Sequence, residues 1–188
     1  MKTQTQTQTQ RRHAAGFTLV ELAVVVAIMV VLAALTLALL PSLHANQNIK
    51  KTKVQIAMLE AGLESYRFDN GSYPVSTDAE GRKGDEVLYK HLYYDGYEAK
   101  QAGASSPRIY LASLDPENST KSDQAWIEGR GAQARIVDPW SEPYRYRSGD
   151  SPNAENPDFD LWSCGPDKKT SADPKDSSRM NDIKRGDN

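Results

Sequence analysis

The chain has 188 residues, and its 23 Lys and Arg against 25 Asp and Glu give a formal net charge of −2. Such a balance lacks the basic excess of nucleic-acid-binding proteins, so no nucleic-acid partner is expected. Cys164 is the single cysteine, which excludes a disulfide within the chain and favours a buried small residue at that position.

The first predicted element is an apolar helix over residues 17–40, in which Glu21 is the ionisable side chain. At ~1.5 Å of rise per residue this helix is about 36 Å long, enough to cross a hydrocarbon core of roughly 30 Å. Residues 1–16 carry basic side chains and no acidic one. By the positive-inside rule, we expect this end to stay in the cytoplasm.

A carboxylate within a membrane span costs on the order of 2.5 to 3.5 kcal/mol at mid-bilayer, so Glu21 is expected to meet a positive partner. The apolar region is also longer than the roughly 7 to 15 residues of a secretory signal, and small residues precede it at 14–16. The pattern therefore favours cleavage on the cytoplasmic side of the helix.

The stretch from Gly16 to Leu22, Gly-Phe-Thr-Leu-Val-Glu-Leu, closely resembles the recognition sequence of type IV pilins and type II secretion pseudopilins. In that family a membrane peptidase cuts after the glycine, here Gly16, and the new N-terminal residue, here Phe17, is usually N-methylated. The resemblance implies that Glu21 neutralises the N-terminal ammonium of a neighbouring subunit, because a buried charge is tolerated when it is paired. The alternative is a plain single-pass anchor with an unrelated glutamate.

After Pro41, residues spaced by three or four predict an amphipathic helix that continues to about Phe68. The stripe consists of Ile49, Thr52, Ile56, Leu59, Leu63 and Tyr66. Residues 69–74 have turn chemistry, and their Tyr-Pro pair is similar to the major pseudopilin of type II secretion. Residues 87–92 predict a short helix, 108–111 a short extended segment and 117–123 a loop.

Residues 138–144, Asp-Pro-Trp-Ser-Glu-Pro-Tyr, resemble the pseudopilin pattern Asp-Pro-Trp-Gly-Asn-Pro-Tyr, with Ser141 and Glu142 in place of Gly and Asn. Aromatic and charged residues alternate over 144–148, as in a half-buried strand. A second strand is predicted at 159–163, after a polar loop. Together they predict a small antiparallel sheet whose apolar face covers the amphipathic helix.

The candidate ligand site lies after the second predicted strand. Several oxygen ligands in one loop suit calcium better than a transition metal. The segment is also similar to the calcium loop of major pseudopilins, and this resemblance implies as ligands the Cys164 carbonyl, Asp167, Asp173, Asp176 and Asp182. Lys168 and Lys169 replace the family's glycine-rich continuation, so a solvated tail without calcium is the alternative.

The sequence thus predicts an α+β pilin-like fold with a cleaved leader (1–16), a transmembrane and filament-core helix (17–40), and an amphipathic helix with a periplasmic head (41–188). The resemblance implies a structural subunit of a type II secretion pseudopilus, resident in the bacterial inner membrane before assembly into a helical homo-oligomer. Its implied partners are prepilin peptidase, minor pseudopilins, the lipid bilayer, and an inner-membrane assembly platform with its ATPase.

Two alternatives remain at this point. The first is a type IV pilin for adhesion, motility or DNA uptake, against which the single cysteine argues, because many such pilins close a C-terminal loop with a disulfide. The second is a membrane-anchored binding or catalytic ectodomain. An enzyme is not expected, because the histidines after the leader, His44 and His91, lie in no recognisable catalytic motif.

Overall fold

The computed structural model describes residues 17–76, 78–117, 126–173 and 175–186, and the side chains of 37–43 are outside the description. The predicted loop at 117–123 therefore falls almost wholly outside the described residues. The chain divides into two compact units, Met1–Leu43 and His44–Asn188. Helix α1, Leu19–Asn70, runs through both.

In the first unit, the described part of α1 up to Thr36 presents apolar side chains to its surroundings and buries none of them within the chain. The window Leu19–Thr36 has a mean hydropathy of 2.8, and 0% of it is buried within the chain. This part of the helix is therefore long and apolar enough to cross a membrane, as the sequence predicts.

In the second unit, α1 buries the predicted stripe. Thr52, Ile56, Leu59 and Leu63 are buried, while Ile49 and Tyr66 at its two ends are partly buried. The helix ends at Asn70 because Gly71 follows in a left-handed conformation, with φ of 77°, and its N–H donates to the Arg67 carbonyl. The predicted helix end and turn are thus confirmed.

The middle of the chain folds over this buried face as a helical segment. Helix α2, Gly84–Tyr89, continues through a π-helical turn at Lys90–Tyr94 into α3, Asp95–Gln101. The predicted helix at 87–92 is confirmed, although the helical segment is longer. Residues 108–111, predicted as a short extended segment, belong to none of the described strands; the N–H groups of Tyr110 and Leu111 both donate to the carbonyl of Leu92.

Two small antiparallel sheets complete the second unit. Strands β1, Ile127–Glu128, and β2, Arg135–Ile136, form one pair. The other sheet has the order β3, Arg145–Ser148, then β4, Phe159–Ser163, then β5, Ile183–Lys184. Strand β4 has the predicted bounds, and β3 begins one residue later than predicted.

The core joins α1, the middle helices and the three-stranded sheet. Among its fully buried members are Leu59, Leu63, Leu88, Leu92, Leu114, Ile136, Tyr144, Tyr146 and Phe159. Two tyrosine hydroxyls fix the packing: Tyr144 donates to Gln55 Oε1 at 2.8 Å, and Tyr146 donates to the Pro74 carbonyl at 2.6 Å. A pilin-like α+β head, with the sheet covering the buried face of α1, is therefore confirmed.

The prediction of a half-buried β3 with its charged side chains in solvent is wrong at one position. Arg147 is completely buried. It lies directly opposite Asp160 on β4, and its Nε donates to Asp160 Oδ2 at 2.7 Å. A buried arginine is tolerated there because its charge is paired with that of Asp160 and because its Nε and Nη1 donate to acceptors, although its Nη2 has no hydrogen-bond partner within the described residues.

Candidate assembly segment and C-terminal loop

Glu21 lies at the start of α1, where its side chain closes a capping box with Thr18. Glu21 Oε2 accepts hydrogen bonds from the Thr18 N–H and hydroxyl, both at 2.9 Å, and the Thr18 hydroxyl accepts from the Glu21 N–H at 3.2 Å. The residue pattern Thr-x-x-Glu is a known signature of a helix N-terminus. The sequence analysis missed this role of Thr18, although the spacing alone carries it.

The side chains around Glu21 are apolar and exposed within the chain. Phe17 is 86% exposed and Leu19 is 84% exposed. A carboxylate is thus held at the end of an apolar surface that needs cover from lipid or from other chains. Gly16 lies outside the described residues, so cleavage after it and methylation of Phe17 stay predictions.

In the second unit, Asp138 ties the Asp-Pro-Trp turn to the end of β4. Its Oδ1 accepts from the N–H groups of Trp140 and Glu142, each at 2.9 Å. Its Oδ2 accepts from the Ser163 hydroxyl at 2.5 Å, and Ser163 Oγ accepts in turn from the Gly165 N–H. Burial raises the pKa of Asp138, although these hydrogen bonds act in the opposite direction.

The C-terminal loop, 164–182, begins at Cys164 and ends at Asp182. Cys164 is buried, as predicted, and burial raises the pKa of its thiol. Asp182 Oδ2 accepts from the Thr170 hydroxyl at 2.8 Å and from Arg179 Nε at 3.0 Å. Its Oδ1 is buried and accepts no hydrogen bond from the described residues. Burial raises the pKa of Asp182, while Thr170 and Arg179 oppose that effect.

The other predicted calcium ligands bind groups of their own loop. Asp167 accepts from the Asn181 side chain at 3.0 Å and from the Lys169 N–H, and the Asn181 hydrogen bond is the main reason that its pKa is lowered. Asp173 accepts from the Lys175 N–H and Asp176 from the Ser178 N–H, and both are exposed.

Across the described parts of the chain, no group of three or more His, Cys, Asp or Glu side chains is gathered as for a metal ion. Asp167 and Asp182 lie in different hydrogen-bond networks, and a cationic arginine contacts Asp182 directly. As arranged, these residues do not fit the predicted calcium site. These contacts do not test calcium binding itself.

His91, in the second unit, contacts an aspartate and a tyrosine. Its Nδ1 lies 3.3 Å from Asp95 Oδ2, and its ring packs edge-on against Tyr66. Burial lowers its pKa, and Asp95 opposes that effect. Packing as a partly buried aromatic ring accounts for these contacts.

Two family models match the chain. The prokaryotic N-terminal methylation motif matches residues 11–37, and type II secretion system protein G matches residues 105–182. Together they cover the exposed apolar helix with Glu21 and the region that contains strands β1 to β4 and the C-terminal loop.

Two similar proteins that match this chain over most of its length bear the name of the same secretion protein. The chain is 31% identical over 167 residues to the type II secretion system core protein G of Pseudomonas aeruginosa, covering 89% of this chain and 94% of that protein. It is 29% identical over 163 residues to the protein of the same name from Aeromonas hydrophila, covering 87% and 90%. Competence protein ComGC of Halalkalibacterium halodurans is 32% identical over 75 residues, covering 38% of this chain and 71% of that protein. The chain therefore belongs to the family of the type II secretion system core protein G.

Proposed function

We propose that this chain is the structural subunit of a type II secretion pseudopilus, the filament that helps to drive export of folded proteins. The proposal rests on the arrangement of side chains at the start of α1, in a chain that belongs to this family. The apolar window Leu19–Thr36 is not buried within the chain. It carries a single carboxylate, Glu21, which a hydrogen bond from Thr18 fixes in the first turn of the helix. Such a surface is stable only in lipid or against like helices.

In the mechanism that we propose, prepilin peptidase cuts after Gly16 and leaves Phe17 as a methylated N-terminal residue. Before assembly, the helix from Phe17 to Leu40 spans the inner membrane with its N-terminus in the cytoplasm and the head in the periplasm. Extraction into the filament replaces lipid by the helices of neighbouring copies. The inner-membrane platform, its ATPase and minor pseudopilins are the partners for this step.

Glu21 sets the register of each incoming subunit. Both hydrogen bonds from Thr18 are accepted by Oε2, and Oε1 accepts none from the described residues. The carboxylate can therefore keep its own helix capped while Oε1 receives the N-terminal ammonium of a neighbour. Charge-assisted hydrogen bonds are about twice as strong as neutral ones, and more so away from water.

Substitutions at Glu21 separate capping from charge. Glu21→Gln preserves a capping-box residue but removes the negative charge, whereas Glu21→Ala removes both. We expect both variants to insert into the membrane and to reduce sedimentable filaments at least about tenfold, because a buried ammonium without its partner costs more than 1.4 kcal/mol. Immunoblots of filament and membrane fractions measure this.

Thr18→Ala is the matched control. It removes the hydroxyl of the capping box and leaves the charge of Glu21, so filaments should persist in reduced amount. If Glu21→Gln assembled as well as the wild type while Thr18→Ala did not, Glu21 would act only as a helix cap and the pairing mechanism would be wrong.

A competence pilin is the second candidate, because 38% of the chain also matches ComGC. The match to core protein G favours secretion, because it extends over 89% of the chain and includes the head. Deletion of the gene separates the two functions: loss of exoprotein from the medium supports the proposal, and loss of DNA uptake with normal secretion supports the competence pilin.

A further inference from the structure

Two arginines are buried beside the C-terminal loop, where the family resemblance implies calcium. Arg179 lies in the loop itself, and its side chain is only 3% exposed. Its Nε donates to Asp182 Oδ2 at 3.0 Å, and its Nη1 lies 2.5 Å from Glu155 Oε1. The guanidinium also lies 5.2 Å from the ring centroid of Trp162, within the range of a cation–π interaction.

Arg147 joins the loop to the sheet from the other side. Its Nη1 donates to the carbonyl of Ala172 in the loop at 3.3 Å and to that of Ala79 at 2.7 Å. Its Nε binds Asp160, and its guanidinium lies 5.1 Å from the same Trp162 ring. One tryptophan of β4 is thus contacted by both guanidinium groups.

The charges of this cluster are balanced without a metal ion. The cations Arg147, Arg179 and Lys184 are paired with the anions Glu155, Asp160 and Asp182. A divalent cation placed on Asp182 would either displace Arg179 or add uncompensated positive charge to a buried cluster. Both are costly, because a buried charge without a counter-charge is strongly destabilising.

We propose that Arg179, supported by Arg147, supplies the positive charge that closes the C-terminal loop of this chain, in place of calcium. The guanidinium holds Asp182 at the end of the loop and links it to Glu155 in the β3–β4 connection. Thr170 completes the closure, because its hydroxyl binds both Asp182 Oδ2 and the Trp162 Nε1. The loop is therefore held by side chains that the chain itself provides.

The experiment measures the thermal midpoint of the full chain in detergent, with millimolar calcium or with a chelator. Tryptophan fluorescence is the readout, because all three tryptophans lie in the second unit. We expect the wild-type midpoint to be the same in both solutions. Arg179→Met, which keeps an apolar side chain of similar length without the charge, should lower the midpoint by about 10 °C.

Arg82→Met is the control, because Arg82 forms a surface ion pair with Glu80 and should change the midpoint very little. Arg179→Lys keeps the charge but loses the planar guanidinium, so its thermal midpoint should lie between those of the wild type and Arg179→Met. It replaces Arg179→Met in the comparison if that variant does not fold. A calcium-dependent rise of the wild-type midpoint, or an Arg179→Met midpoint equal to that of Arg82→Met, would overturn the proposal.

Discussion

At the residue scale, two departures from the family pattern occur where the backbone takes a glycine-like conformation. Ser141 has φ of 63°, and Lys168 has φ of 57°. In the family pattern that the chain resembles, Ser141 takes the place of a glycine and Lys168 lies in a glycine-rich continuation. The Asp138 side chain preserves the turn around Ser141 by accepting from the N–H groups of Trp140 and Glu142. Side chains in the left-handed region cost roughly 1–2 kcal/mol relative to ordinary backbone, so both turns are retained at a cost.

Ser141→Gly should therefore stabilise the head. The relief of backbone strain exceeds the extra chain entropy that glycine brings to the unfolded state, and a net gain of about 0.5–1 kcal/mol is expected. The thermal midpoint should rise by roughly 1–4 °C.

Asn153→Gly is the matched control, since Asn153 has φ of 64° and asparagine tolerates this region better. Its midpoint should change less than that of Ser141→Gly. If the serine variant were no more stable than the wild type, the strain at Ser141 would not exist.

Individual residues show how much of the structure the sequence could predict. The Asp-Pro-Trp pattern identifies the region around Ser141, but Ser141 and Glu142 in place of Gly and Asn left the exact turn open until the structure showed the left-handed conformation of Ser141. The burial of Arg147 and Arg179 could not be predicted, because their partners Asp160 and Glu155 become neighbours only after the hairpin forms.

At the scale of elements, the β3–β4 hairpin depends on one carboxylate. Asp160 accepts from the N–H of Glu155 at 2.8 Å, from the N–H of Asn156 at 3.1 Å and from the Asn156 amide at 2.6 Å, in addition to Arg147. Burial alone would raise the pKa of Asp160, but these hydrogen bonds and the arginine charge outweigh it and leave the pKa below its ordinary 3.8.

The stability that Asp160 gives to the head therefore depends on pH. Because the pKa of Asp160 is lower in the folded state, its contribution to stability is present above pH 3.8 and is lost as the pH falls below that value. The difference in thermal midpoint between the wild type and Asp160→Asn should thus be largest near neutral pH and shrink below pH 3.8. Asp158→Asn, which removes a carboxylate at an exposed position nearby, is the control for a change of surface charge. A gap for Asp160→Asn that is constant with pH would contradict this account.

Elements with a strong residue pattern were predicted, and those without one were not. The stripe along α1 has a clear helical periodicity, and strand β4 is a short run with three apolar residues after a polar loop; both are confirmed. Strands β1, β2 and β5 each have two residues, too few for any period, and they form because tertiary contacts bring their partners alongside. The π-helical turn Lys90–Tyr94 likewise has no signal in a single sequence.

At the scale of the whole molecule, the two units use their apolar residues differently. The head buries its own core, which draws on residues from Ile49 onward. The window Leu19–Thr36 buries nothing within the chain and must be covered by something else. This division suits a subunit that is first anchored in a membrane and later packs into a filament.

The most direct test of the central claim is the intact mass of the chain recovered from sedimented filaments of cells that express it. A structural subunit processed after Gly16 predicts one species, beginning at a methylated Phe17, in the filament fraction. A chain that still carries residues 1–16, or a mature chain found only in the detergent-soluble membrane fraction, would contradict the account and support a membrane-anchored ectodomain.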